Sequence, residues 1–382
     1  MLSRRELLFA AAAASVQAAR KLKHTERLDR ALRGEDVDRP PFTFWYHFGL
    51  EKMPGEHHAK ATLDFHRKFR TDLVKVMSDF PYPKPKGAWH ELGVLDNPFP
   101  EQIRALEIIR DGLAGSAYFV ETVFNPWNVA EKLSSKEEVL RLKEEQPQKL
   151  LDALEVIAQS EANHARKAIS AGARGIFLAI ANAQDGILSQ ADYAKFSEPF
   201  DRMVLDAVRD APLNTLHLHG DKVYLERFYR GWPAAVLNYS AHGAGVVIAD
   251  VRARYSSVIM GGLDERNFRT LSTAQLREQW RSAQNAAGKR FLLAPGCSVP
   301  NETTDAELGR LVNLLGAWHG AEKRGDRLRC PKPPVDQYHA LAAPGAWIAL
   351  PVTTLFSTVP GADQVSCRRR SGSALIPGLK GG

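Results

Sequence analysis

Thr215-Leu216-His217-Leu218-His219-Gly220 ends an apolar run with two histidines one residue apart. Side chains alternate along a strand, so His217 and His219 point to the same side of it. A short strand closed by glycine thereby presents two imidazoles at its carboxyl end. A second apolar run, Phe291 to Ala294, leads into Pro295-Gly296-Cys297-Ser298-Val299-Pro300, where Cys297 offers a thiolate. Two imidazoles and a thiolate with a fourth position open describe a catalytic zinc site. Each residue alone has a plainer reading: His-x-His arises by chance, and a free cysteine is often a small buried hydrophobe.

Working outward, similar apolar runs recur along the chain. Phe42 to His47, Leu73 to Met77, Ala117 to Phe124, Gly175 to Ala181, Leu213 to Leu218, Ala235 to Tyr239, Val258 to Gly261 and Phe291 to Ala294 are eight candidate strands. Between them lie amphipathic stretches such as Lys136 to Gly172, Tyr193 to Asp210 and Thr273 to Ala287, so the hydrophobic period switches repeatedly between strand and helix. Eight such strands alternating with helices predict a (β/α)8 TIM barrel. An open nucleotide-binding sheet would carry a glycine-rich phosphate turn after its first strand, and the sequence has none there.

Barrel chemistry sits at the carboxyl ends of the strands. Those ends carry Trp45 and His47, Ser78 and Asp79, Asn125 and Trp127, Asn182 and Gln184, His217 and His219, Asn238 and His242, Asp264, and Cys297. A barrel would turn all of them toward one mouth. The expected roles are metal ligation by His217, His219 and Cys297, orientation of substrate or water by Asp79, and acid or base work by His242. Trp45, His47, Trp127, Asn182, Gln184 and Asn238 are expected substrate contacts, and Asp264 is expected to cap the following helix.

The remaining features bound the function. The chain has 382 residues, 44% of them hydrophobic, enough for one large core. Its net charge of +7 is not concentrated in one helix or stripe apart from the two ends, and no basic-aromatic module marks a nucleic-acid binder. Three cysteines, Cys297, Cys330 and Cys367, do not make a disulfide framework. Ser3-Arg4-Arg5-Glu6-Leu7-Leu8 followed by an alanine-rich stretch predicts a twin-arginine signal over residues 1–19 and a periplasmic or envelope location. That stretch is too short to span a bilayer, so no stable membrane anchor is expected once the signal is removed. The barrel is expected over residues 25–329, and a loosely ordered tail over 330–382, with Ala346 to Phe356 as its apolar piece and Arg368-Arg369-Arg370 as its basic cluster.

Several motifs together resemble the uroporphyrinogen decarboxylase superfamily. They are Arg27-Leu28-Asp29-Arg30-Ala31-Leu32-Arg33-Gly34 with Asp38-Arg39-Pro40, Ser78-Asp79, Phe196-Ser197-Glu198-Pro199-Phe200, Gly261-Gly262-Leu263-Asp264, and Pro295-Gly296-Cys297 with Val299-Pro300. The resemblance implies a (β/α)8 barrel with a deep cleft, and either of two chemistries. In the decarboxylases an arginine-rich segment after the first strand binds the carboxylates of a tetrapyrrole, and an aspartate, matched here by Asp79, hydrogen-bonds the pyrrole nitrogens. This chain instead reads Trp45-Tyr46-His47-Phe48-Gly49-Leu50-Glu51-Lys52 after that strand, and Ala183 and Gly296 stand where the decarboxylases have a serine and a histidine. The second branch, the cobalamin-linked methyltransferases, holds zinc through His-x-Cys and Gly-Cys. His217 and Cys297 match two of its ligands, and His219 stands where the third is a cysteine. That branch implies zinc, a small-molecule thiol substrate and a corrinoid-carrying partner protein. An exported corrin- or tetrapyrrole-binding protein, using an aromatic lining of Trp45, Trp89, Trp127 and Tyr239, is a further alternative.

Overall fold

The sheet is built in strict chain order. A computed structural model describes residues 21–321, so the expected signal over residues 1–19 and the tail from 330, with Cys330 and Cys367, lie outside the described residues. Within them seven strands pair only in parallel: β1 (Leu73–Val76), β2 (Tyr118–Phe124), β3 (Ile176–Ile180), β4 (Thr215–Leu218), β5 (Val236–Tyr239), β6 (Val258–Leu263) and β7 (Phe291–Pro295). Every connection between neighbouring strands carries helix, which is the βα repeat of a curled parallel barrel.

The expected first strand, Phe42 to His47, is corrected to a single bridge between Phe42 and Leu293. Pro40 and Pro41 have no N–H to give a ladder, and the Phe42 N–H donates to Asp72 Oδ2 at 3.0 Å instead. The segment still occupies the eighth place. Thr43 N–H donates to Leu293 O at 3.0 Å, Leu293 N–H to Pro41 O at 2.8 Å, and Asp72 N–H to Phe42 O at 2.9 Å, so it links β7 to the start of β1. His217-x-His219 therefore follows the fourth hydrogen-bonded strand.

A buried ion cluster fastens this seam. Arg27, on the helix His24–Arg33, forks onto both oxygens of Asp38 at 2.6 and 2.7 Å and reaches Asp72 Oδ1 at 2.6 Å. Arg39 bonds the other oxygen of Asp72, and His24 Nδ1 lies 2.8 Å from Oδ1. The amino-terminal motif thus brings two guanidinium groups and two carboxylates together under the barrel seam, where bidentate geometry makes each pairing strong.

Core packing follows the period-two alternation. Leu73 and Met77 on and after β1 join Val120, Phe177, Met260 and Leu292 inside the barrel, while Val74 and Val76 face the surrounding helices with Leu106 and Ile109. The stretch expected as Lys136 to Gly172 is two helices, Lys136–Glu145 and Pro147–Ser170, because Pro147 forces Gln146 out of helical geometry (φ −141°, ψ 61°). Tyr193 to Asp210 divides likewise into Gln190–Phe196 and Glu198–Asp206 around Ser197. Thr273–Ala287 is one helix with a reciprocal cap between Ser272 and Gln275.

Candidate metal centre

β4 carries His217 next to its last residue, Leu218, His219 follows the strand directly, and the turn after β7 brings Cys297 across the mouth to meet them. One donor atom from each of the three lies within 4.8 Å of the others. His219 Nδ1 is 3.2 Å from Cys297 Sγ. Burial alone would raise the Cys297 thiol, but the charges and hydrogen bonds of His217 and His219 outweigh it and bring the thiol down to about 4. The same hydrogen bond, donated by His219 and accepted by the sulfur, raises His219.

The donor set fits a zinc ion in a second respect. His217 Nδ1 lies 2.6 Å from Asn238 Oδ1, its register neighbour on β5. Asn238 spends its amide hydrogens on Met260 O (2.9 Å) and Pro295 O (3.2 Å), which fixes its oxygen toward the ring. His217 therefore carries a proton on Nδ1, and Nε2 is the nitrogen it offers toward Cys297, the orientation of a metal ligand with an anchored outer partner.

These donors open on a cavity of about 270 Å³. Its walls are Trp45, Phe177, Phe124 and Met77, with Thr122 and Ser298 as hydroxyls and His47, Lys75 and Lys132 as basic groups. His47 Nδ1 lies 2.7 Å from Asp79 Oδ1, and Asp79 Oδ2 is buried without a partner. Burial would raise Asp79, but the His47 hydrogen bond and the charges of His47 and Lys75 take it below the ordinary aspartate range.

The expected site residues separate in the structure. His217, His219, Cys297, Trp45 and His47 line the cavity. Gln184 and Asn182 line the adjoining cleft, where Gln184 Nε2 donates to His219 O (3.0 Å) and Ala181 O (2.6 Å). Asn182 is spent in a buried network with Asn125, Ser197 and, through them, Asp201. Three expectations are corrected. Asn238 is fully buried and holds His217 rather than substrate. Trp127 is also fully buried, in the outer hydrophobic shell, with Nε1 donating to Glu131. His242 faces a different cleft beside Gly262, away from the three donors. A fourth correction is Asp264, which accepts from the N–H groups of Arg266 and Asn267 and closes its own turn, while Ser272 caps the following helix.

The sequence reading missed Lys75. Its signal was a lysine in the middle of the otherwise apolar Leu73-Val74-Lys75-Val76-Met77, at the parity of the inward-facing Leu73 and Met77. Missed too was the pair Glu121 and Glu161, behind β2. Glu121 accepts from His164 (3.0 Å) and Gln102 (2.8 Å), while burial and the Glu121 charge push Glu161 up to about 8.

A parallel barrel with titratable side chains gathered at its carboxyl mouth is the architecture of a barrel enzyme. The chain belongs to the uroporphyrinogen decarboxylase family, whose model matches residues 81–318. It is 28% identical over 291 residues to the uroporphyrinogen decarboxylase of Synechococcus sp. (strain JA-3-3Ab), covering 63% of this chain and 78% of that one. It is 25% identical over 350 residues to the uroporphyrinogen decarboxylase of Prochlorococcus marinus (strain MIT 9211), covering 75% and 96%. Among solved structures it resembles a methyltransferase from Methanosarcina mazei, with a TM-score of 0.64 and 18% identity over 78% of this chain and 99% of that one. At that identity the likeness is one of fold.

Proposed function

We propose that this chain is a zinc-dependent, methyltransferase-like enzyme in which His217, His219 and Cys297 hold the metal. The observation that carries the reading is the convergence of three donor atoms within 4.8 Å, one imidazole being fixed in the ligand tautomer by Asn238. Zinc at such a site lowers the pKa of a thiol or water in its open position. The chain's own residues supply the rest: Trp45, Phe177, Phe124 and Met77 exclude water around the reacting group, and His47 paired with Asp79 stands at the mouth as a proton-carrying pair. A corrinoid-carrying protein as methyl donor and a small-molecule acceptor belong to the same proposal, as does export by the twin-arginine route.

A metal-free decarboxylase of tetrapyrrole biosynthesis is the second reading. It is favoured by the names of the sequence relatives and by the bare, buried Oδ2 of Asp79, which could accept a pyrrole N–H. Against it, the cavity walls carry no arginine to fork onto several carboxylates. An exported corrin- or tetrapyrrole-binding protein loses three of its four expected aromatics, since Trp127 and Tyr239 are buried in the outer core and Trp89 packs against it.

The test is elemental analysis of the purified chain beside Cys297→Ala. About one zinc per chain, lost in the variant, supports the metal reading; zinc that persists in Cys297→Ala refutes the site as drawn, and its absence from both returns the chain to the decarboxylase reading. Fractionating cells that carry Arg4→Lys with Arg5→Lys tests export, which predicts retention in the cytoplasm.

A further inference from the structure

Lys75 is a buried cation that the proposed chemistry does not use. Only 8% of its surface is exposed, and its parity turns it into the barrel with Leu73 and Met77. Its Nζ lies 4.8 Å from the Phe177 ring centroid, 5.4 Å from that of Trp45, and 2.9 Å from the Met77 sulfur. Ring faces and a thioether are weak partners for an ammonium group.

The neighbouring carboxylates are already engaged. Asp79 is bonded to His47, and Glu121 to His164 and Gln102; Cys297 first, then these two, act on Lys75 through space only. Burial pushes Lys75 down to about 8, so it remains largely protonated at neutral pH while poorly solvated. A desolvated cation facing a cavity favours whatever anion enters it. The cavity, about 270 Å³, is at or below the ~300–1,000 Å³ of drug-sized sites, which restricts the ligand to a small molecule.

We propose that Lys75 is an anion subsite and that the cavity takes a small carboxylate, its acid group on Lys75 Nζ, its apolar body against Phe177, Trp45 and Phe124, and its other end toward Cys297. The assignment rests on the cavity being the reaction site, as proposed above, but not on the metal being present.

Binding is measured by calorimetry and by tryptophan fluorescence, Trp45 being the reporter beside Lys75. The probes are benzoate against benzamide and propionate against propionamide, so that each pair differs in charge and hardly in shape. As-purified and zinc-loaded protein are compared with Lys75→Met and Lys132→Met. Methionine is apolar and of similar length, and no carboxylate is hydrogen-bonded to Lys75, so Lys75→Met is expected to fold with an unchanged or higher Tm. The expected result is a preference of about tenfold or more for at least one acid over its amide, lost in Lys75→Met and kept in Lys132→Met. Equal binding of acid and amide by the wild type, no saturable binding of either acid, or a preference that survives in Lys75→Met overturns the proposal. The wild-type comparison decides even if the variant fails to fold. A carboxylate preference in a chain that holds no zinc refutes the metal reading alone; one zinc per chain without the preference refutes the Lys75 subsite alone.

Discussion

Asn238→Ala separates the hold on a ligand from the ligand itself. Asn238 is fully buried; its Oδ1 accepts from His217 Nδ1 at 2.6 Å, and its Nδ2 donates to Met260 O at 2.9 Å and Pro295 O at 3.2 Å. The alanine variant leaves the His217 ring free to turn or to move its proton to Nε2, the atom a metal requires. Loss of such an outer-shell partner lowers metal affinity by about 10–100-fold, roughly 1.4–2.7 kcal/mol. The two stranded carbonyls add a separate cost of ~1–3 kcal/mol each, paid in fold stability. Asn238→Asp distinguishes the two effects, because it keeps an acceptor for His217 and loses only the donors. Zinc affinity is read by competition with a chromophoric chelator at a temperature where every variant is folded, and stability by calorimetry. The expected order of affinity is wild type and Asn238→Asp above Asn238→Ala, with both variants melting lower than wild type. An alanine variant within about twofold of wild type in zinc affinity, in a protein whose Cys297→Ala variant has lost its zinc, would refute the tautomer argument.

Two further predictions concern the fold. Glu161 is buried and its acid is held up to about 8 against an ordinary 4.5, so across that window the unfolded chain releases a proton that the native state keeps. Stability therefore falls as pH rises from 4.5 to 8, by about 1.4 kcal/mol per pH unit at most, and Glu161→Gln should flatten that part of the urea-unfolding profile; an unchanged slope counts against it. Asp72→Asn keeps the shape but strands Arg27 and Arg39, which are 1% and 7% exposed, and should cost about 3–5 kcal/mol in denaturant unfolding. A loss below about 1 kcal/mol would mean that Asp38 alone balances both guanidinium groups.

The barrel was legible because parallel strands buried on both faces read as apolar runs, and seven of the eight expected runs are strands. The eighth, Phe42 to His47, had the composition of a strand but not its hydrogen bonds, since two prolines and the Asp72 side chain intervene. The convergence of His217, His219 and Cys297 followed from their places at strand ends. Which polar residues would face the cavity did not follow. Asn238 and Trp127 share those ends with His47, yet the first is consumed by neighbouring carbonyls and the second by the outer shell, and both outcomes depend on contacts distant in sequence. Lys75 was overlooked because a single charged residue in an apolar run resembles an interruption of the strand, and only the inward parity of Leu73 and Met77 gives it meaning.

The geometry of the donor set is imposed by the backbone before any ligand arrives. A Cβ at Gly296 would lie 2.3 Å from the Cα of Ser240, and the Gly296 N–H donates to Glu265 at 3.1 Å, so the turn after β7 is packed hard against the end of β5. Cys297 starts from a fixed point. On the other side, Gly220 takes φ +132°, a conformation other residues seldom adopt, and Gln184 ties the carbonyl of His219 from below. Both halves are therefore positioned by packing, as a preformed site requires. The same contact makes the turn intolerant of substitution. With Ser240 in place there is no room for a side chain at Gly296, so Gly296→His would push the turn away from β5 and carry Cys297 with it, and the three donors would no longer meet.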